Sequence, residues 1–194
     1  MDFLVTYATT DGLTGEIADR IGLRLMQSGH RATVSDLRDL PRDYSMSRFD
    51  GIIVGASLHP GYQRRVRRFV TRQIAALRSR PSAFFSVCLA VASKFPRERA
   101  EALAIPRRFV AELRWAPDAI EVIAGALRFS RYGFLRRRYM MAMARSELDE
   151  AIDPRRDYCF TDWSQVDAFA ASFEQLAMMR AARAFSPEVG PAPL

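Results

Sequence analysis

Short apolar runs alternate along the chain with stretches in which apolar residues recur every three or four positions. Strands are expected at 3–8, 32–36, 51–56, 83–89 and 120–126, the short apolar runs of this alternation. Between them lie helical patterns. In the first helix Ile17, Ile21, Leu25 and Met26 share a face, and Gly29 is placed to stop it. A second is expected over 63–78, where Val66, Phe69, Val70, Ile74 and Leu77 form one stripe and Arg64, Arg65, Arg67, Arg68 and Arg72 cover the remaining surface. A third is expected over 97–113, with Pro106 predicting a kink or break because proline removes a backbone donor. The last is expected over 164–182, with Asp162 or Ser164 as N-cap. Strands alternating with helices in this way predict an α/β three-layer sandwich around a five-stranded parallel sheet.

The stretch 127–158 breaks the rhythm. It is long and very basic, it follows the fifth strand, and it reads as an insertion, which at that length is usually functional. No internal repeat is present. A length of 194 residues suits one domain, expected over 1–183, and the proline-containing end from 184 to 194 is expected to be a mobile tail.

Charge narrows the partners without selecting one. The formal net charge of +7 calls for an anionic partner, which nucleic acid, an acidic lipid surface or a carboxylate-bearing substrate would each satisfy. Cys88 and Cys159 are far apart and outside any Cys-x-x-Cys spacing, so neither a zinc site nor a disulfide framework is suggested, and a reducing compartment fits best. The apolar run at the N-terminus is too short for a signal peptide core or a spanning helix, and a cytoplasmic location is expected.

In open parallel sheets ligands bind beyond the carboxyl ends of the strands. After the first strand the chain reads Thr9-Thr10-Asp11-Gly12-Leu13-Thr14 and enters a helix directly. Hydroxyls, a glycine and the N–H groups of a helix start make a cradle for phosphate, whereas a Walker-type loop would need a Gly-Lys-Ser/Thr ending that is missing. Asp11 must turn its carboxylate away if phosphate is to bind, and Asp11 or Thr14 could equally be a plain helix cap. After the third strand comes Ser57-Leu58-His59-Pro60-Gly61-Tyr62, and after the fourth Ser86-Val87-Cys88-Leu89-Ala90. These two loops can wall a planar ring, with Tyr62 and His59 as candidate walls and exposed or helix-starting roles as the alternative. Cys88 reads as a small core hydrophobe rather than a nucleophile.

Taken in series, these segments resemble the flavodoxin-type, menaquinone-dependent protoporphyrinogen oxidases of bacteria. The resemblance rests on the 9–14 loop with Glu16-Ile17-Ala18, on Val54-Gly55-Ala56-Ser57, on Pro81-Ser82-Ala83-Phe84-Phe85-Ser86-Val87, on Val122-Ile123-Ala124-Gly125-Ala126-Leu127-Arg128 with Arg131-Tyr132, and on the segment 158–163. It implies a flavodoxin-like fold with strand order 2-1-3-4-5. It also implies FMN, with phosphate on Thr9, Thr10, Asp11, Gly12, Leu13 and Thr14, and the ring held near Ser57, Leu58, His59, Tyr62, Ser86, Val87, Cys88, Leu89 and Ala90. In that family an aspartate stands at the Asp11 position where ordinary flavodoxins commonly carry threonine.

The activity so implied is FMN-dependent oxidation of protoporphyrinogen IX to protoporphyrin IX in haem biosynthesis, with menaquinone or ubiquinone as acceptor. The flavin carries the chemistry, so no catalytic side chain or metal is expected. In the insertion, Leu135, Tyr139, Ala142 and Met143 fall on one helical face with Arg138 and Arg145 away from it, a pattern suited to an anionic membrane surface. Arg128, Arg131, Tyr132, Arg136, Arg137, Arg138 and Tyr139 are the expected contacts to substrate propionates or lipid. A flavodoxin-like electron carrier and an NAD(P)H quinone reductase remain alternatives, and nucleic acid is not an expected partner.

Overall fold

The structure, a computed structural model, describes residues 1–58, 61–148 and 152–185. Strands β1 (Asp2–Ala8), β2 (Arg31–Asp36), β3 (Gly51–Ser57), β4 (Ser82–Cys88) and β5 (Ala119–Ala124) form one parallel sheet in the order β2-β1-β3-β4-β5. Phe3 stands opposite Ala32 on one side and Gly51 on the other, and Cys88 opposite Ala124. The order and the parallel pairing are those implied by the sequence.

Side chains of a strand alternate between faces, and this separates two cores. Phe3, Val5, Ile53 and Phe85 point to one side, where α1 (Leu13–Gln27) packs with Ile17, Ile21 and Leu25 and α6 (Trp163–Phe185) with Phe169 and Phe173. Leu4, Ile52, Val54 and Phe84 point to the other, against Val66, Phe69 and Val70 of α2 (Arg64–Arg72), Leu77 of α3 (Ile74–Ser79) and Phe109 of α4 (Pro96–Glu112), with Trp115 just beyond. A layer of helices on each face completes the three-layer sandwich.

Local expectations differ in four places. The helix expected over 63–78 is two, broken at Gln73, whose φ of −99° and ψ of 16° leave helical geometry. Conversely α4 runs on through Pro106, which is buried, so packing outweighs the missing hydrogen bond there. Met26 lies 48 % exposed, outside the core stripe expected of it, whereas Gly29 does end α1 with φ of +85°. Asp162 caps α6 through the Ser164 N–H at 2.9 Å, and that helix extends past the expected end at 182. The tail at 186–194 lies outside the described residues.

After β5 the chain leaves the sheet. Ala126–Leu127 (β6) pairs antiparallel with Tyr158–Cys159 (β7), and between them runs α5 (Phe134–Glu147). This segment has a core of its own, built from Leu127, Phe129, Tyr132, Met140, Met141, Ala144, Leu148 and Ile152. Ser130 donates backbone N–H and hydroxyl to the Asp157 carboxylate, at 2.9 and 2.5 Å, and Arg137 donates to the Pro154 carbonyl. Among the described residues no helix is long and apolar enough to cross a membrane.

Candidate functional site

Because all five strands are parallel, the loops after β1, β3 and β4 leave from one edge of the sheet. There they surround a cleft whose empty space, counting its open mouth, is about 480 Å³. Thr9, Thr10, Asp11, Leu13 and Thr14 line one end, Ser57 and Leu58 another, and Val87 with Leu89 a third. The segment after β5 closes the remaining side with Gly125, Ala126, Arg128, Tyr132 and Met140.

The turn into α1 is open to a ligand. Gly12 occupies the N-cap at φ of +93°, a conformation glycine adopts without strain, and no side chain caps the helix. The plain-cap alternative for Asp11 and Thr14 is therefore not what the chain adopts. The Gly12 N–H donates to Thr9 Oγ1 at 2.8 Å, which holds the turn. Thr14 is 1 % exposed, and its Oγ1 is buried with no hydrogen-bond partner among the described residues. A buried hydroxyl without a partner costs about 1–3 kcal/mol, so its presence at a helix start facing a cavity marks a position for an acceptor such as phosphate.

Asp11, which lines the cavity, has its charge paired within the protein. Its carboxylate takes a bidentate pair from Arg136, with Nη1 at 2.8 Å and Nη2 at 2.7 Å, while its carbonyl accepts from Arg131 Nη1 at 2.7 Å. A Cβ on Gly12 would run into the Arg131 guanidinium. Arg128 lies beside them, paired with Glu16 at 2.5 Å. Hydrogen bonding from Arg128 lowers the Glu16 pKa below its ordinary value, against a smaller opposing effect of burial. The Arg136 guanidinium also sits over the Tyr132 ring, 4.5 Å from its centroid. A set of arginines thus fastens the α5 segment over the loop after β1.

At the other end Gln63 Nε2 donates to Ser57 Oγ at 2.7 Å and Thr10 Oγ1 at 3.1 Å, joining the loops after β1 and β3. Its Oε1 is buried and has no partner among the described residues.

Several expected ring contacts lie elsewhere. Tyr62 packs 4.4 Å from the Phe109 ring and donates its hydroxyl to Ser86 Oγ at 2.8 Å, so both belong to the core beneath α2 and α4 and do not line the cavity. Burial raises the Tyr62 pKa. Cys88 is buried beside Ala102 and Val122, with its thiol pKa pushed up by that burial, and neither it nor Ala90 lines the cavity. His59 lies outside the described residues. Of the expected substrate or membrane contacts, Arg128 and Tyr132 line the same cavity, and Arg131 and Arg136 hold Asp11. Arg137, Arg138 and Tyr139 do not line it. Gly125, Ala126 and Met140 were not among the expected cofactor residues. Gly125 stood inside a quoted motif, but nothing in the pattern gave Met140 away.

Of the apolar face expected on α5, Leu135 is 81 % and Tyr139 65 % exposed and Ala142 is exposed, while Met143 is partly buried in the segment's own core; Phe134, outside that face, is 72 % exposed.

A flavodoxin-domain family profile matches residues 4–152. The protoporphyrinogen IX dehydrogenase (quinone) of Escherichia coli strain K12 is 33 % identical over 91 % of this chain and 96 % of its own length. The Leishmania major protein of the same name is 32 % identical over 90 % of this chain and 75 % of its own. Among solved structures, a flavodoxin from the domain Archaea superposes with a TM-score of 0.52 at 14 % identity, covering 92 % of this chain and 99 % of that one. A short-chain flavodoxin associated with a PDU bacterial microcompartment gives 0.53 at 14 % identity, covering 91 % and 99 %. With a five-stranded parallel sheet, a cavity at its carboxyl edge and a match to both relatives over about nine-tenths of its own length, the chain belongs to the flavodoxin-domain family of oxidoreductases that contains the protoporphyrinogen IX dehydrogenases (quinone).

Proposed function

We propose that the protein binds FMN in the cavity at the carboxyl edge of the sheet and oxidises protoporphyrinogen IX with a quinone, menaquinone before ubiquinone, as a step of haem biosynthesis. The observation that carries this reading is the buried, unpartnered Thr14 hydroxyl at an uncapped helix start, opening on a cavity with apolar walls. The residues present fit the cofactor. Thr9, Thr10 and Thr14, with the N–H groups entering α1, would hold the phosphate; Leu58, Val87, Leu89, Tyr132 and Met140 would flank the ring. Bound there, FMN would supply a two-electron carrier, accepting from the porphyrinogen and donating to the quinone.

The chain's own work is to bind, orient and shield. Arg136 and Arg131 engage the Asp11 carboxylate and carbonyl, leaving hydroxyls and N–H groups toward the phosphate. Since Arg128 and Arg136 are already paired with Glu16 and Asp11, their role is to fix the cavity wall, and binding of substrate propionates falls to other cations. Phe134, Leu135 and Tyr139, with Arg138 beside them, form an exposed apolar tip with basic flanks that would rest on an anionic membrane surface on the cytoplasmic side, where the quinone is reached.

Anaerobic addition of protoporphyrinogen IX to the FMN-loaded protein is expected to bleach the flavin, and a menaquinone analogue to restore it. Failure of either step refutes the oxidase reading. Bleaching by NAD(P)H alone, with none by protoporphyrinogen, would favour a quinone reductase instead.

A further inference from the structure

Helix α2 reads Arg64-Arg65-Val66-Arg67-Arg68-Phe69-Val70-Thr71-Arg72, and the cavity after β1 makes no use of it. Val66, Phe69 and Val70 are buried against the sheet, which turns the arginines outward. Arg65, Arg68 and Arg72 fall at three- and four-residue steps and so share one strip. Facing that strip is the chain that leaves β2, and the two enclose a groove of about 620 Å³ including its mouth. Arg38 and Arg42 line it from the β2 side and Arg65, Arg68 and Arg72 from α2, with no acidic residue in the lining. Its floor is apolar, formed by Leu40 and Phe69.

Part of this charge is compensated. Asp36, 5 % exposed, pairs with Arg38 at 2.8 Å and stands 3.7 Å from Arg65. Arg42, Arg68 and Arg72 have no hydrogen-bond or ion-pair partner among the described residues. The arrangement opposes helix stability twice over. Like charges sit at adjacent steps of one strip, and the first turn of α2 carries arginines and no acid, against the sense of the helix dipole. An anion seated among Arg65, Arg68 and Arg72 relieves the first of these, the repulsion along the strip. Guanidinium forks converging from two segments match the several oxygens of a phosphate, and the apolar floor suits the esterified part.

We propose that this groove is an anion site for a phosphate ester, bound by Arg42, Arg68 and Arg72 and framed by the Asp36-anchored Arg38 and Arg65. The ester is either a soluble one or a lipid headgroup, since both present the same chemistry. The site is separate from the cavity after β1, and FMN binding does not depend on it.

The test compares the FMN-loaded protein with two triple variants of equal net charge. One is Arg42→Gln/Arg68→Gln/Arg72→Gln. The other is Arg97→Gln/Arg107→Gln/Arg183→Gln, which removes exposed arginines away from the groove. Inorganic phosphate is expected to raise the Tm of the parent and of the second variant above the value in chloride at matched ionic strength, and to leave the first variant unmoved. The first variant should also lose about tenfold or more in phosphate affinity by titration, while binding FMN as the parent does. A parent indifferent to phosphate, or two variants that lose the response equally, overturns the proposal. Sedimentation with phosphatidylglycerol–phosphatidylcholine vesicles then separates the sources. A loss of binding confined to the first variant identifies a lipid headgroup, and equal binding by both variants identifies a soluble ester.

Discussion

Arg136 of α5 and Asp11 of the loop after β1, far apart in sequence, meet side by side through two parallel hydrogen bonds of 2.8 and 2.7 Å. Both side chains are partly buried, at 30 % and 23 % exposure, so the pair is better shielded than a surface ion pair. Replacing Arg136 with Gln frees the Asp11 charge beside the phosphate cradle, and FMN affinity is expected to fall about tenfold. Asp11→Asn in the same chain should recover part of that loss. Flavin fluorescence titration of the single and double variants measures the coupling, expected near 1 kcal/mol; additive losses would show the two residues acting independently.

Thr14→Val keeps the branched shape and removes the hydroxyl. Since Thr14 Oγ1 is buried without a partner, the flavin-free variant is expected to be at least as stable as the parent, while FMN binds about tenfold more weakly or worse. Thermal unfolding without flavin and titration with it should move in opposite directions. A parallel fall in both would mean the hydroxyl serves the fold.

Tyr62 and Ser86 are joined inside the core by a 2.8 Å hydrogen bond. Tyr62→Phe is expected to cost about 1 kcal/mol of stability and to leave FMN affinity unchanged. Weaker FMN binding without loss of stability would return Tyr62 to the ring site.

Arg128 holds the Glu16 carboxyl below its ordinary pKa. A depressed folded-state pKa contributes stability that is present above the unfolded value, about 4.3 for glutamate, and lost as pH falls through the lower folded value. Glu16 remains 47 % exposed, so the contribution is expected to be under about 1 kcal/mol. The difference in Tm between the parent and Glu16→Gln should be constant above about pH 5 and shrink below it. A difference that grows on acidification would have the wrong sign.

The exposed tip of α5 gives a membrane prediction that leaves the cavity untouched. Phe134→Ser with Leu135→Ser is expected to reduce sedimentation with anionic vesicles several-fold at unchanged FMN affinity. Equal sedimentation of parent and variant would place any lipid contact elsewhere.

β1, β3 and β4 were legible because they are buried on both faces and read as apolar runs, β2 and β5 through their place in the alternation of strands and helices, and the site loops because a parallel sheet sends them to one edge. Thr9, Thr10 and Thr14 were readable from the hydroxyl-rich turn into α1. Tyr62 and Ser86 do not line the cavity, because proximity in sequence to a ligand loop does not say which face of the sheet a side chain takes. Ser86 and Val87 are neighbours, yet only Val87 lines the cavity. The Gln73 break and the unbroken passage of α4 through Pro106 were hidden for a related reason, since tertiary packing overrode the local signal. Arg128, Arg131 and Arg136 were recognisable as important, but their partners lie far away in the chain, and nothing in a linear pattern pairs them with Glu16 and Asp11.

The separate small core of the segment after β5 bears on how molecules come and go. Leu127, Phe129, Tyr132 and Met140 pack with one another rather than within either face of the sandwich, so this wall can breathe as a cooperative unit of its own. If it does, amide exchange in that lobe will run faster than in β1 or β3, and equal protection in both would show the wall opening only with the whole domain.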